Sequence, residues 1–330
     1  MVIKPKFISI AELFPRLYAK FPGIIKGSYS AVTAASGVGK TKFAKFLYVN
    51  HAYKYCKENK IPLHIIYFAL EESKEKFWIT LMCDLLMEKY GETITYYQYT
   101  GYHPGLTPEI EKHIKDLQPI IDDMKKHITV FDNIFNPTGM KIAVEKVMNN
   151  FGEKIEGVIE VDDWGNKNES FDFKYYNDDT HVLVVTDHIS LISPEKNRFD
   201  DCSTVHLAIN KWSEYVVKFI CKKYKCCVCD IHQQEMAGDN TENMKLDNLQ
   251  PSLNKLGDNK IVGRNYMNVF GIFNPARYKL TQKIYNRLNI EEMKGSFREI
   301  SLIKHRDGED NIRVPMEFNG KINYFKEMNK

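Results

Sequence analysis

The chain carries almost no net charge, no long hydrophobic run and no pairing pattern among its cysteines. Its 46 Lys and Arg stand against 43 Asp and Glu, a formal charge of +3 over 330 residues. So even a balance excludes whole-surface attraction to nucleic acid, and any such binding must rest on a local basic patch. No apolar stretch approaches the ~20 residues needed to span a bilayer. The opening MVIKPKFISIAELFPRLYAKF lacks the apolar h-region of a secretory signal. The reading is an intracellular, cytoplasmic protein without a membrane partner. Seven cysteines, an odd number, argue against a disulfide framework. Four lie in CKKYKCCVCD (221–230), but no second Cys-x-x-Cys pair is present to complete a tetrahedral zinc site. Cys226, Cys227, Val228, Cys229 and Ile231 read instead as a buried parallel strand, with cysteine as a small hydrophobe. Neither an internal repeat nor a low-complexity tract is present.

What is there in quantity is apolar mass: 43% of the residues, enough for one large α/β domain or two small ones. The strongest local signal is AASGVGKT, residues 34–41. A phosphate-binding loop asks for glycine first, where this chain has Ala34, but Gly37, Gly39, Lys40 and Thr41 fit. Successive backbone N–H groups, those of Ser36, Gly37, Val38 and Gly39, would face phosphate oxygens, and Gly39 lets the chain pass close by. Lys40 supplies a point charge and the Thr41 hydroxyl can ligate Mg²⁺. SYSAVTA (28–34) reads as a strand entering and residues 41–55 as a helix leaving, whose N-terminus adds partial positive charge.

Strands and helices alternate after this loop. PLHIIYFALEES (62–73) is an apolar strand ending in two glutamates, and Ser73 caps a helix running to Gly91. A Tyr-, Gly- and Pro-rich loop (92–106) leads to Thr107 as N-cap and Pro108 at the first helical position. HITVF (127–131) is a strand, and Thr138 caps a helix through Asn150. Residues 154–179 alternate apolar and polar around a polar turn, the pattern of an inserted β-hairpin. HVLVVTDHISLI (181–192) is a buried strand running into Asp187, followed by a helix over about 200–224 and the cysteine strand. Further strands fall near 268–273, 298–304, 311–317 and 322–325. This order predicts a mostly parallel sheet covered on both faces.

Nucleotide hydrolysis needs a phosphate cradle, an acid on the Mg²⁺ side, a group to orient water and a cation for transition-state charge. Asp187 ends its apolar strand where such an acid belongs, and Glu71 ends the other strand, with Glu72 directed to the opposite side. DIHQQ (230–234) and ISLIKHRDGE (300–309) supply polar and basic side chains at strand ends.

Together these stretches resemble the RecA-like ATPase domain of the DnaB-type (superfamily 4) replicative helicases, which include phage primase-helicases. The resemblance runs from about Gly23 to Phe325. AASGVGKT is similar to their phosphate loop, FALEES to the strand that delivers their catalytic glutamate, and VTDHISLI to their Walker B stretch. IHQQ stands where they carry a sensor glutamine, and IKHRDG resembles their Lys-x-Arg-x-Gly turn. The resemblance implies ATP with Mg²⁺, the water-orienting role at Glu71, the metal-side acid at Asp187 and the sensor at Gln233. Lys304 and Arg306 would reach a neighbouring subunit's γ-phosphate. It implies an oligomer, a hexameric ring or a helix, that moves along single-stranded DNA in replication, with a separate primase or loader as partner. The runner-up is a RecA- or KaiC-like regulatory or recombination ATPase that assembles without unwinding.

Departures from the family pattern accompany this. Residues 1–22 precede the motor where the family carries an N-terminal domain or a primase. The family's DNA loop is represented by LNKLGDNKIVGRN (253–265), in which Lys255, Lys260 and Arg264 could grip phosphates. SIAELFPRLYAKF (9–21) offers a Ser9–Glu12 capping box and an apolar stripe of Ile10, Leu13, Phe14, Leu17 and Phe21, divided at Pro15, read as docking on a neighbouring subunit, with packing on its own core as the alternative.

Overall fold

The structure, a computed structural model, describes residues 7–161, 167–197, 200–234, 249–256, 260–278, 290–310 and 312–328. Strand β1 (Phe7–Ser9) pairs antiparallel with β2 (Gly23–Ile25), enclosing the short helix α1 (Pro15–Tyr18). β3 (Tyr29–Ala34) enters the glycine-rich loop, and α2 (Lys40–Ala44) leaves it, continuing through a π-helical stretch (Lys45–His51) into α3 (Ala52–Glu58). β4 (Leu63–Ala69), α4 (Lys74–Tyr90), α5 (Tyr96–Tyr99), α6 (Pro108–His127), β5 (Ile128–Phe131) and α7 (Pro137–Met148) follow. The inserted hairpin is β6 (Gly152–Val161) with β7 (Lys167–Tyr175), an antiparallel pair outside the main sheet.

β8 (His181–Asp187), a small hairpin of β9 (Glu195–Asn197) and β10 (Asp200–Cys202), α8 (Val205–Tyr215) and β11 (Cys227–Gln233) come next. Toward the end of the chain lie α9 (Lys260–Asn265), β12 (Asn268–Phe273), β13 (Phe297–His305), β14 (Ile312–Asn319) and β15 (Tyr324–Glu327).

Nine strands make the main sheet, in the order β15-β14-β13-β12-β3-β11-β8-β4-β5. From β12 to β5 every pairing is parallel, and β13, β14 and β15 add antiparallel pairs at one edge. β3, β4 and β8 are buried along their whole length, which explains their unbroken apolar runs. The predicted mostly parallel α/β sheet with helices on both faces is the one observed. All seven cysteines are free and buried, and Cys226, Cys227 and Cys229 lie in or beside β11, as the strand reading requires.

Local chemistry settles most boundaries. Ser73 and Thr107 accept from the backbone N–H three residues on, capping α4 and α6, and Gly91 ends α4 at φ 72°. Thr138 does not cap α7: Pro137 takes the first helical position, and the Thr138 hydroxyl donates to Glu195 at 2.6 Å. The helix expected over 200–224 begins only at Val205, capped by Thr204, because residues 200–202 pair as β10.

The N-terminal stripe packs on its own chain rather than standing ready for a neighbour. Ile10, Phe14, Leu17 and Phe21 are fully or almost fully buried. Phe14 stacks on Phe43 of α2 at 6.1 Å, and Arg16 pairs with Glu327 of β15. The Ser9–Glu12 capping box does not form. Ser9 Oγ instead accepts from the Ala11 N–H, and α1 starts at Pro15, since proline suits a helix start and breaks an interior.

Deep in the other layer, Asp230 of β11 is fully buried among donors. Tyr29 Oη donates at 2.6 Å, Trp212 Nε1 at 3.2 Å and Tyr266 Oη at 3.5 Å. Burial raises its carboxyl to about 6, against those hydrogen bonds. An unfolded aspartate titrates near ~3.9. Between these values the folded state holds a proton that the unfolded state has lost, so this group's contribution to stability falls as pH rises. Urea unfolding of wild type and Asp230→Asn at several pH values between 4 and 7 checks this. The stability difference should move toward wild type on acidification, by up to about 3 kcal/mol. A difference that does not change with pH would contradict the assignment.

Candidate nucleotide site

Parallel strands deliver side chains to one edge of the sheet, the end at which β3 meets the glycine-rich loop. Ala34 of β3 lies opposite Gln233 of β11, and Ala69 of β4 opposite Asp187 of β8. Four strand ends therefore converge beside residues 35–41. Gly39 has φ 114°, a region closed to most side chains, and a Cβ there would stand 3.2 Å from the Phe318 ring. That is the physical reason for glycine at this position. Lys40 then opens α2, its side chain buried and, among the described residues, engaged by no hydrogen bond or ion pair. Burial lowers its pKa, while the charges of Glu71 and Asp187 hold it up.

Asp187 is 1% exposed. Its Oδ1 accepts from Thr41 Oγ1 at 3.0 Å and its Oδ2 from Tyr67 Oη at 2.8 Å. Burial raises its carboxyl to about 6, opposed by the charge of Lys45 and by the Tyr67 and Thr41 hydrogen bonds. A hydroxyl and a carboxylate side by side are hard oxygen donors suited to Mg²⁺, which takes one or two carboxylates and completes its shell with waters and phosphate oxygens. Among the described residues no group of three or more His, Cys, Asp or Glu could hold a metal by itself. Thr41 and Asp187 are thus the residues that fit Mg²⁺, and Lys40 with the loop amides those that fit phosphates.

The two glutamates part company, although β4 ends at Ala69 and both stand in the bend that follows it rather than on the strand. Glu72 turns inward and pairs with Lys45, whose side chain is 3% exposed. Glu71 stays exposed, with its Oε2 3.7 Å from His188 Nε2. His188 and His232 were not singled out by motif, yet both stand here. His188 directly follows Asp187, and its buried Nδ1 has no described partner. His232 is 2% exposed, and its Nε2 is likewise unpartnered. Burial, helped by the charges of His188 and Lys40 and opposed by a hydrogen bond to the Gln233 carbonyl, drives the His232 pKa down to about 4. Gln233 is exposed at the end of β11, while Gln234 donates to the Ser252 carbonyl. The "DHIS" and "DIHQQ" strings held these histidines in plain view, but nothing in their spacing says that they meet.

Lys304 and Arg306 lie elsewhere. His305 pairs with Asn268, and Asn268 with Ser30, so this turn sits at the start of β3 while the loop follows its end. Lys304 Nζ donates to the carbonyls of Gly263 and Arg264, and Arg306 Nη2 to that of Arg264, covering the C-terminal end of α9. Among the proposed DNA contacts, Lys255 Nζ donates to the Gln250 carbonyl at 2.8 Å and Arg264 is exposed. The Lys260 side chain and residues 257–259 lie outside the described set.

This division of the glutamates has a measurable consequence. Glu72→Gln leaves a buried ammonium without its counter-ion and should cost about 3 kcal/mol or more in urea unfolding. Glu71→Gln, at an exposed position, should stay within about 0.5 kcal/mol of wild type. Equal losses would mean that the two side chains are not separated as described.

No protein-family model matches the chain, and no curated protein matches it in sequence. Solved structures do match in fold. One is an ATPase domain, at TM-score 0.67 and 14% identity, with 98% of this chain and 93% of that one covered. Another is a DnaB-like replicative helicase, solved for its interactions with primase, at TM-score 0.68 and 14% identity. That match covers 99% of this chain but 65% of the helicase, so the chain spans less than two thirds of that protein. At such identity the likeness is one of fold: the chain has the RecA-like P-loop fold found in the ATPase domain of a DnaB-like replicative helicase.

Proposed function

We propose that the chain is a Mg²⁺-dependent ATPase that works as a ring or helix and moves along single-stranded DNA, in the manner of a replicative helicase. The observation that carries the hydrolytic part is Lys40: a buried ammonium with no described partner, at the mouth of a glycine-rich loop. A charge in that position is stabilised by an arriving anion. Lys40 would hold phosphate, Thr41 and Asp187 the metal, and Glu71 the attacking water. Gln233 and the adjacent His232 would report the terminal phosphate.

Sheet polarity supports a reading in which the site is shared between subunits. Ser30 to Ala34 spans roughly 13 Å at ~3.3 Å per residue, with the loop beyond it and Arg306 behind Ser30. An arginine placed there does not reach its own loop, but it can reach a neighbour's. A guanidinium stays charged and can fork two phosphate oxygens, which suits the role. Arg306→Ala and Lys40→Ala should each be inactive alone. Mixed in one oligomer, an Arg306→Ala subunit keeps its phosphate loop and borrows the arginine of a Lys40→Ala neighbour. Partial recovery of ATPase on mixing supports the shared site, and no recovery in mixtures shown to co-assemble refutes it.

The alternative, a RecA- or KaiC-like ATPase without translocation, gains support from Lys255, whose ammonium is turned onto a backbone carbonyl. Single-stranded DNA separates the two readings. A translocase should show DNA-stimulated ATPase that weakens steeply between about 50 and 200 mM salt, as phosphate contacts release counterions. A rate indifferent to DNA at low salt favours the alternative.

A further inference from the structure

Behind the glycine-rich loop, on the edge made by the antiparallel strands, stands a second cation that no motif marks. Arg298, the second residue of β13, is 4% exposed. Its Nε donates to the Val38 carbonyl of the loop at 2.7 Å, and its Nη1 to the carbonyls of Gly295 at 2.9 Å and Phe297 at 2.6 Å. The guanidinium lies 4.3 Å from the centre of the Phe318 ring, the ring that backs Gly39. Loop, ring and guanidinium are thus stacked against one another.

Among the described residues no carboxylate pairs with Arg298. Its neighbour Glu299 is buried too, but strand alternation sends it to the other face, where Arg313 is its counter-charge. Burial lowers the Arg298 pKa to about 10, with no neighbouring charge contributing, so the group stays protonated at neutral pH. Carbonyl dipoles and one aromatic face solvate it only in part. A buried charge without a counter-ion is costly, and the nearest candidate for a compensating anion is whatever the loop binds.

We propose that Arg298 is a positioning residue of the phosphate site: it holds the Val38 carbonyl away from the ligand and lends the loop an uncompensated positive charge that a nucleotide's phosphates neutralise. This rests on the reading of residues 34–41 as a phosphate loop. A simple tether would need only a donor, whereas the role argued here needs the charge.

The two are separated by measuring the affinity of a fluorescent ADP analogue with Mg²⁺, alongside melting temperatures without nucleotide. Arg298→Gln keeps a donor and Arg298→Met keeps the chain length, and both lose the charge. Each should bind about tenfold more weakly or worse, the scale of one unit charge across a partly buried site. Arg298→Lys, which keeps the charge, should recover most of the affinity. Without nucleotide the Met variant leaves the Val38, Gly295 and Phe297 carbonyls without their donor, so it should melt somewhat below wild type, and affinity is compared at a temperature where every variant is folded. Affinity within twofold of wild type in either neutral variant overturns the proposal. So does failure of both neutral variants to fold, which would make the charge a structural requirement independent of nucleotide. Lys40→Ala is measured in parallel. If it binds the analogue normally, the phosphate-loop reading itself fails. If it loses binding while Arg298→Gln retains it, only the role of Arg298 fails.

Discussion

A carboxylate removed from water must find its hydrogen-bond donors in the protein, and Asp187 finds them on two other elements. Thr41 comes from the start of α2 and Tyr67 from β4. That one requirement brings the start of α2, β8 and β4 into a fixed relation. The parallel pairing of β4 with β8 then sets Glu71 and His188 side by side, because Ala69 and Asp187 are register partners.

The same sheet separates two kinds of cation. Lys40 stands at the loop end of β3, and Lys304 and Arg306 at the other, resting on the carbonyls that end α9. Polarity of a parallel sheet does this without special residues, since all of its strand ends of one kind face one way. A chain built so presents an acceptor surface at one edge and a donor surface at the other. That arrangement underlies the proposal of sites completed between subunits.

Aromatic packing supports the loop from below. Phe43 of α2 meets Phe14 from the N-terminal segment, Phe270 from β12 and Phe325 from β15, and Phe325 in turn meets Phe318. Large rigid rings at these contacts bury much area at low side-chain entropy cost. The N-terminal stripe belongs to this cluster, which is why it lies on its own chain. An apolar stripe in sequence declares only that it will be covered, not by which surface.

How much was legible in the chain divides along physical lines. Continuous apolar runs announced β3, β4, β8 and β11. Ser73, Thr107, Pro108 and Gly91 marked helix ends, because capping and breaking act over a few residues. The glycine-rich turn between β3 and α2 was readable for the same reason: strand end, glycines and helix start are consecutive in the chain. Glu71 and Glu72 do point apart as read, but in the bend after β4, which ends at Ala69, so strand alternation is not what separates them. What could not be read were contacts between residues far apart in the chain. These include Thr138 turning to Glu195, residues 200–202 pairing as a strand, His232 beside His188, and Arg298 under Val38. Each depends on distances that only the packed sheet creates. Local propensity acts through neighbours a turn away, so the sequence by itself determined the elements and the loop. Burial, which must satisfy every polar group from wherever a partner can be brought, decided how they meet.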